Sequence, residues 1–318
     1  MKFKPKNQHD ITPENYFSEA VGKRYLSSHA LMSFLKDPST FWLKTNGYLK
    51  GSSSESADAG RLFHAFMESE EAFKEELAHL GKSPFTKLPK GSDDTTPFEI
   101  VFGDNAPEQL NPKATFKAVW DYINQSWEQR HTIWNDDSYD KETILTGQFL
   151  DAHFKGRLDC LKIEDDTAYI YDYKTLTLKN YYGSWRDSDG YYHEKTFIQD
   201  HDYDLQMAIY AELVKQNYPE VKDVYITFGV LIKGGKHDFV DYPTSFINTK
   251  PMHIETLIEP RFNGKTAYDI LMDDAQMAYR VMQMDEDAFI EAFGGDNLFL
   301  EMLLKKGNPL SAEKFKLS

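Results

Sequence analysis

Two aspartates and a lysine stand close together in KGRLDCLKIEDDTAYIYDYKT, which runs from Lys155 to Thr175. Asp159 lies in Arg157-Leu158-Asp159, while Asp172 and Lys174 lie in Tyr171-Asp172-Tyr173-Lys174-Thr175. The surrounding Tyr and Ile favour a strand, whereas aspartate does not, and a charge facing a core is costly without a partner. Side chains alternate along a strand, so Ile170, Asp172 and Lys174 point one way and Tyr169, Tyr171 and Tyr173 the other. Asp159 is expected to end a strand that pairs with this one across the turn Glu164-Asp165-Asp166-Thr167-Ala168. A carboxylate from each strand then meets at one end of the sheet, beside Lys174. Carboxylates are hard ligands suited to Mg²⁺ or Mn²⁺. A cation held there can lower the pKa of a water and screen a phosphate, and an ammonium group nearby can orient that water. The set is fit to hydrolyse a phosphodiester. An exposed strand face with an Asp–Lys ion pair would account for the same tripeptide, so the distinction rests on the rest of the chain.

Two helices supply further polar groups. In GRLFHAFMES, His64 and Glu68 are four residues apart and share a face beside the apolar stripe. In DYDLQMAIYAELV, Gln206 and Tyr210 share a face, while Leu205, Ala208, Ile209 and Leu213 form the buried one. Alone, His64 reads as a core histidine, Glu68 as a solvated or capping residue, and Gln206 with Tyr210 as a polar flank.

The elements that must position these groups follow from periodicity and punctuation. Residues 1–24 read as irregular and polar. Ser27 or Ser28 can cap a short helix holding Leu31, Phe34 and Leu35, and Pro38 either breaks it or starts another. A Gly/Ser-rich connection leads to one helix over 58–80, then a loop over 81–112 and a helix over 114–134. From Glu142 a hairpin is expected, turning near Leu150-Asp151-Ala152, with a third strand in AYIYDYKT and a fourth in DVYITFGVLIK, ended by Gly234-Gly235. A loop over 180–200 and a helix in DLQMAIYAELVKQN lie between the last two strands. From about residue 253 the chain reads as helical, with a break near Asn263-Gly264. This order predicts a mixed α/β sheet flanked by helices on both sides.

Composition narrows the classes. With 318 residues, 41% hydrophobic, 27% charged and 14% aromatic, the chain can bury a sizeable core and is not disordered throughout. A net charge of −15 disfavours a surface that coats itself with nucleic acid, but leaves room for a local basic channel. The single cysteine, Cys160, rules out an internal disulfide and a four-cysteine iron–sulfur cluster or zinc site. No secretory signal and no apolar run of about 18 residues is visible, so a cytoplasmic protein with no membrane span is expected.

In combination, G-x-x-x-H on a helix, R-L-D, D-Y-K-T and Q-x-x-x-Y resemble the PD-(D/E)xK nucleases, in the branch related to RecB. YLSSHALMSFLKDPSTF, GRLFHAFMES, FKGRLD, YDYKT and YDLQMAIY are most similar to the RecE-type exodeoxyribonuclease VIII nuclease domain of phages and prophages, over roughly residues 25–232. The resemblance implies a restriction-endonuclease-like α/β core with helical N- and C-terminal additions, in one nuclease domain over 1–318. Within it, helices over 25–80 contribute His64, a loop and helix insertion spans 81–135, the catalytic sheet and helix span 136–235, and a helical region spans 236–318. It implies that Asp159 and Asp172 bind the metal and Lys174 is the catalytic lysine. His64 would add a nitrogen ligand, and Tyr173 a backbone carbonyl. Gln206 and Tyr210 would position the lysine and the phosphate, and Glu142 stands where related nucleases carry a further acid. The proline of the family motif is replaced by Leu158, which removes no reactive group.

The expected substrate is a duplex DNA end, digested 5′ to 3′ with Mg²⁺ (or Mn²⁺) to leave a 3′ overhang. The resemblance further implies a ring-like homo-oligomer and a RecT-type annealing partner, in a bacterial host cytoplasm. Arg157, Lys179, Trp185, Arg186, Lys233 and Lys236 are the expected DNA contacts. Of these, Lys179, Trp185 and Arg186 belong to an aromatic, cationic loop after the catalytic strand, and Lys233 and Lys236 to a basic hairpin. Such groups can stack on bases and bind phosphates, although packing within the protein explains them equally well. Two alternatives remain at this level: an endonuclease of the same superfamily, and a nuclease-like protein that binds DNA ends without cutting them.

Overall fold

Ser27 accepts a hydrogen bond from the Ala30 amide and so starts α1 (Ser28–Lys36). Pro38 then opens α2 (Pro38–Thr45) at its first turn, where its missing N–H costs nothing, with Asp37 as the cap. The computed structural model describes residues 10–49, 54–88, 110–181, 184–186, 192–194, 196–237, 240–258, 260 and 264–293. The helix expected over 58–80 is two helices. Ser54 caps α3 (Glu55–Glu68), which begins inside the Gly/Ser-rich segment, and the extended Ser69 ends it and caps α4 (Glu70–Leu80). The helix expected over 114–134 is likewise divided, into α5 (Lys117–Ser126) and α6 (Arg130–Trp134), by one tighter turn at Trp127–Gln129.

The hairpin pairs β1 (Asp140–Phe149) with β2 (Ala152–Glu164), and the turn at Leu150-Asp151 places Leu150 in the left-handed region. β3 (Thr167–Thr177) runs antiparallel to β2. The chain then passes through α7 (Tyr203–Asn217) to β4 (Asp223–Lys233), which is parallel to β3. A parallel pair needs such a crossover, and the helix supplies it. Within the region expected as helical from residue 236, residues 245–248 and 252–253 form strands instead. β5 (Ser245–Asn248) and β6 (Met252–His253) both pair with β4 and complete a six-stranded mixed sheet. α8 (Ala267–Gln283), opened by a capping box at Thr266 and Asp269, packs against α7.

The sheet separates two cores. One joins α1, α2, α7 and α8 to the strands through residues such as Trp42, Leu158, Ile170, Leu205, Ile209 and Val230. The other gathers Phe63, Phe66, Phe73, Phe116, Trp120 and Leu231 from α3, α4, α5 and β4. Val230 and Leu231 enter different cores because neighbours on a strand face opposite ways. Residues 10–24 are not wholly irregular: Ile11, Tyr16 and Val21 form a small buried cluster of their own. Among the described residues, no helix is long and apolar enough to cross a membrane.

α7 lies close on the sheet because Gly156 lets it. A Cβ at Gly156 would come 2.9 Å from Leu213 Cδ1 and 3.0 Å from Tyr210 Cε1, whereas one at Gly22 would meet nothing within 4 Å. Gly156→Val is expected to destabilise the protein by about 1–3 kcal/mol through overpacking. Gly22→Ala, in contrast, is expected to stay within about 1 kcal/mol of the native protein. Urea unfolding of the two variants checks this.

Candidate active site

β2 and β3 part company where the acids sit. Their ladder ends with Cys160 opposite Tyr171, and beyond it the Tyr173 amide donates to the Asp159 carboxylate at 2.7 Å instead. Asp159 therefore lies within β2, at the end of its pairing with β3 rather than at the end of the strand as expected. Leu158 and Leu161, three residues apart, both enter the larger core, so the strict alternation of β2 is interrupted around Asp159. On the other side, Lys141 pairs with Cys160 and Thr143 with Leu158. Glu142, between them, takes a φ of 52°. That left-handed conformation is uncommon outside glycine, and it occurs opposite Asp159, where β1 and β2 both depart from regular geometry.

Asp172 is 2% exposed, and Lys174 Nζ lies 2.5 Å from its Oδ2. Among the described residues, no group other than this ammonium is set to bond that buried oxygen. Lys174 donates to Gln206 Oε1 at 3.0 Å, Gln206 Nε2 donates to the Tyr210 hydroxyl at 3.0 Å, and that hydroxyl donates to the Arg157 carbonyl at 3.0 Å. Gln206 and Tyr210 are thus buried members of a chain that ties α7 to β2 and β3, not an exposed flank. From the opposite side, α3 brings His64 Nδ1 to 3.4 Å from Asp159 Oδ1, with the ring set edge-on to Tyr173.

The charges in this cluster set one another. Burial pushes the Asp172 carboxyl up to about 6; Lys174 opposes the rise and Asp159 adds to it. Burial also acts against ionised Asp159, but His64, Lys174 and the Tyr173 amide outweigh it and leave this carboxyl below its ordinary value. His64 and Lys174 are both raised: burial disfavours each cation, and Asp159 and Asp172 respectively prevail over it. Glu142 is pushed up to about 7 by burial and by Asp159, against the pull of Arg157.

The residues expected to touch DNA fare differently. Arg157 Nε is bonded to Glu142, and its NH2 group lies 3.6 Å from Glu68. Its charge is engaged by two carboxylates of the site, and Glu68 is one of these partners rather than a solvated residue. Lys233 donates to Ser56 Oγ at 3.2 Å. Lys179 is exposed on the short helix Leu178–Tyr181. Trp185 and Arg186 lie on a strand, Ser184–Arg186, that pairs with Tyr192–Glu194, and Lys236 lies on Gly235–His237; the side chains of these three fall outside the described residues. One close neighbour of the site went unread in the sequence: the Tyr203 ring, whose centroid is 4.5 Å from Lys174 Nζ. Its position three residues before Gln206, on the same side of the helix, was the available signal.

Among the described residues, no three His, Cys, Asp or Glu side chains already form a group that could hold a metal ion. The donors nevertheless fit one in kind. Two carboxylates and an imidazole converge, and one buried carboxylate oxygen has no neighbour there but the Lys174 ammonium. His64, Asp159 and Asp172 are the residues that could hold Mg²⁺ or Mn²⁺, in competition with Lys174 for Asp172. Asp172 and Glu142 have folded pKa values above their ordinary ones of 3.8 and 4.5, so their contributions to stability are complete at low pH and are lost as pH rises toward about 6 and about 7. The metal-free protein is therefore expected to lose thermal stability from about pH 4 to pH 7 on their account. Mn²⁺ should raise Tm more at pH 7.5 than at pH 5, because ligation needs the deprotonated carboxylate, and Asp159→Asn should remove that increment. Thermal unfolding across pH, with and without Mn²⁺, checks both.

Residues 27–238 match the family described as a PDDEXK-like domain of unknown function (DUF3799). The crystal structure of a candidate exonuclease from Eubacterium rectale is similar over 98% of this chain and 96% of that one, with a TM-score of 0.55 and 16% identity, a likeness of fold. The crystal structure of SSO0001 aligns with 88% of this chain and 97% of that one at 11% identity, and its TM-score of 0.24 carries no weight. No curated protein matches the chain. With its mixed sheet, its flanking helices and two thirds of its length inside the match, the chain belongs to the PDDEXK-like family.

Proposed function

We propose that the chain is a divalent-metal-dependent exonuclease that hydrolyses phosphodiester bonds at duplex DNA ends. One observation carries the reading: His64, Asp159, Asp172, Lys174 and Gln206, drawn from two strands and two helices, converge where β2 and β3 separate. An ion pair that served only the fold would not need the imidazole and the second carboxylate. The family membership supports phosphodiester chemistry, and the name of the Eubacterium rectale protein supports exonuclease over endonuclease action.

When bound, Mg²⁺ or Mn²⁺ would supply a lowered pKa for water and a screen for the phosphate charge. The chain's own groups do the rest. Asp159 and Asp172 supply negative oxygens, and His64 holds Asp159 in place from α3. Lys174 orients the attacking water and stabilises charge as it develops on the phosphate. Gln206, fixed through Tyr210 to the Arg157 carbonyl, keeps the ammonium on that line. The water oxygen bonds to phosphorus as the bond to the 3′-oxygen breaks, and that oxygen leaves as a hydroxyl. The wider resemblance to RecE-type nucleases supports 5′ to 3′ digestion and a ring-like homo-oligomer working with a RecT-type annealing protein. An enclosed lumen would also reconcile DNA binding with a net charge of −15.

End-labelled linear and closed circular duplexes, incubated with Mg²⁺ or EDTA, test the proposal. Linear DNA should be degraded in Mg²⁺ only, and circles should survive. Lys174→Met should lower the rate by at least about 10²-fold, the scale on which such electrostatic groups act. The fold should persist, since Asp172 can neutralise itself by taking up a proton. Cleavage of circles would instead indicate an endonuclease, and no cleavage of either substrate a protein that only binds ends.

A further inference from the structure

Lys174 is enclosed on three sides, and only two of them are polar. Asp172 Oδ2 lies 2.5 Å from its Nζ and Gln206 Oε1 3.0 Å. The third side is the face of the Tyr203 ring, 4.5 Å from Nζ to the centroid. Tyr203 and Gln206 are three residues apart at the start of α7, so one helix end presents a ring and an amide to the same ammonium. The ring is itself wedged in place. It stacks on His201 with centroids 5.5 Å apart, meets Phe228 at 6.0 Å, and has Phe197 edge-on at 6.2 Å.

We infer that Tyr203 positions Lys174 through a cation–π contact. The inference rests on the nuclease reading for its kinetic consequence only, since the contact itself belongs to the chain. A carboxylate in the same place would hold the ammonium equally well but neutralise it. An aromatic face attracts the cation through its quadrupole and leaves the charge available to a phosphate. The arrangement matters most when Asp172 turns its oxygens to another cation. Lys174 then loses its ionic partner, and Gln206 and the Tyr203 face remain to fix it. The hydroxyl of Tyr203 makes no hydrogen bond to any described residue, so the contact resides in the ring.

The test compares Tyr203→Phe, which keeps the face, with Tyr203→Leu, which keeps apolar bulk without it; Tyr203→Met replaces the latter if the leucine variant does not fold. Steady-state cleavage of a linear duplex in Mg²⁺ should give a kcat for Tyr203→Phe within about twofold of the native protein. Removal of the ring should lower kcat roughly 3- to 30-fold with KM unchanged, the range a desolvated cation–π contact spans. A second readout needs neither metal nor DNA. In protein carrying ¹³C-labelled lysine, the Lys174 ε-methylene signal, assigned by its loss in Lys174→Arg, should be displaced by the ring current in the native and Tyr203→Phe proteins. It should return to the ordinary lysine position when the ring is removed. A native kcat without the ring, an equal loss with phenylalanine, or a Lys174 signal indifferent to the ring would each overturn the inference. Failure of the native protein to cleave DNA would overturn the nuclease reading instead, and the lysine spectrum would still decide on the contact.

Discussion

The structure depends on keeping Asp172 and Lys174 charged inside a sheet. Both face the larger core from β3, the strand held between antiparallel β2 and parallel β4. Desolvating such a pair is expensive, and its mutual attraction repays this only with good geometry and further hydrogen bonds. The surroundings supply them unequally. Lys174 has Gln206 and an aromatic face as well, whereas Asp172 Oδ2 has only the ammonium, and burial leaves the carboxyl at about 6. A core selected for stability alone would bury leucines here. The unequal solvation places a carboxyl raised by burial beside a well-held cation, an arrangement suited to chemistry on a charged substrate.

The rest of the architecture follows from holding this pair between two helices that approach from opposite faces. α7 is drawn onto the sheet at Gly156 and secured by the Tyr210 hydroxyl on the Arg157 carbonyl, which sets Gln206 against the lysine. α3 sits on the other core and delivers His64 past Tyr173 to Asp159. The gap between β2 and β3 lets groups from both faces meet. Had the ladder continued past Cys160 and Tyr171, the Tyr173 amide would face a backbone carbonyl rather than the Asp159 carboxylate.

Carboxylates crowd this region, and Arg157 relieves the crowding. Glu142 and Glu68 both lie against its guanidinium, and both carboxyls are raised by burial in spite of it. That engagement gives the arginine of the RLD motif two partners within the site itself. A side chain's charge was legible; the sink for that charge was not.

The sequence by itself determined which residues could act together. The spacing of Asp172 and Lys174 put them on one strand face, and the spacing of Gln206 and Tyr210 put them on one helix face. Capping at Ser27 and Asp37, and the turns at Leu150 and Asp165, were local as well. Period and capping depend on neighbours a few residues away, so they are written in the chain. Only the tertiary structure decided that α3 and α7 converge on one point from opposite sides, and that Asp159 sits within a strand. It also decided that residues 245–253 add strands to β4, that Tyr203 faces Lys174, and that Arg157 turns toward Glu142 and Glu68. Those outcomes depend on which surfaces pack together across about a dozen to well over a hundred residues of chain, at separations where period and capping carry no information.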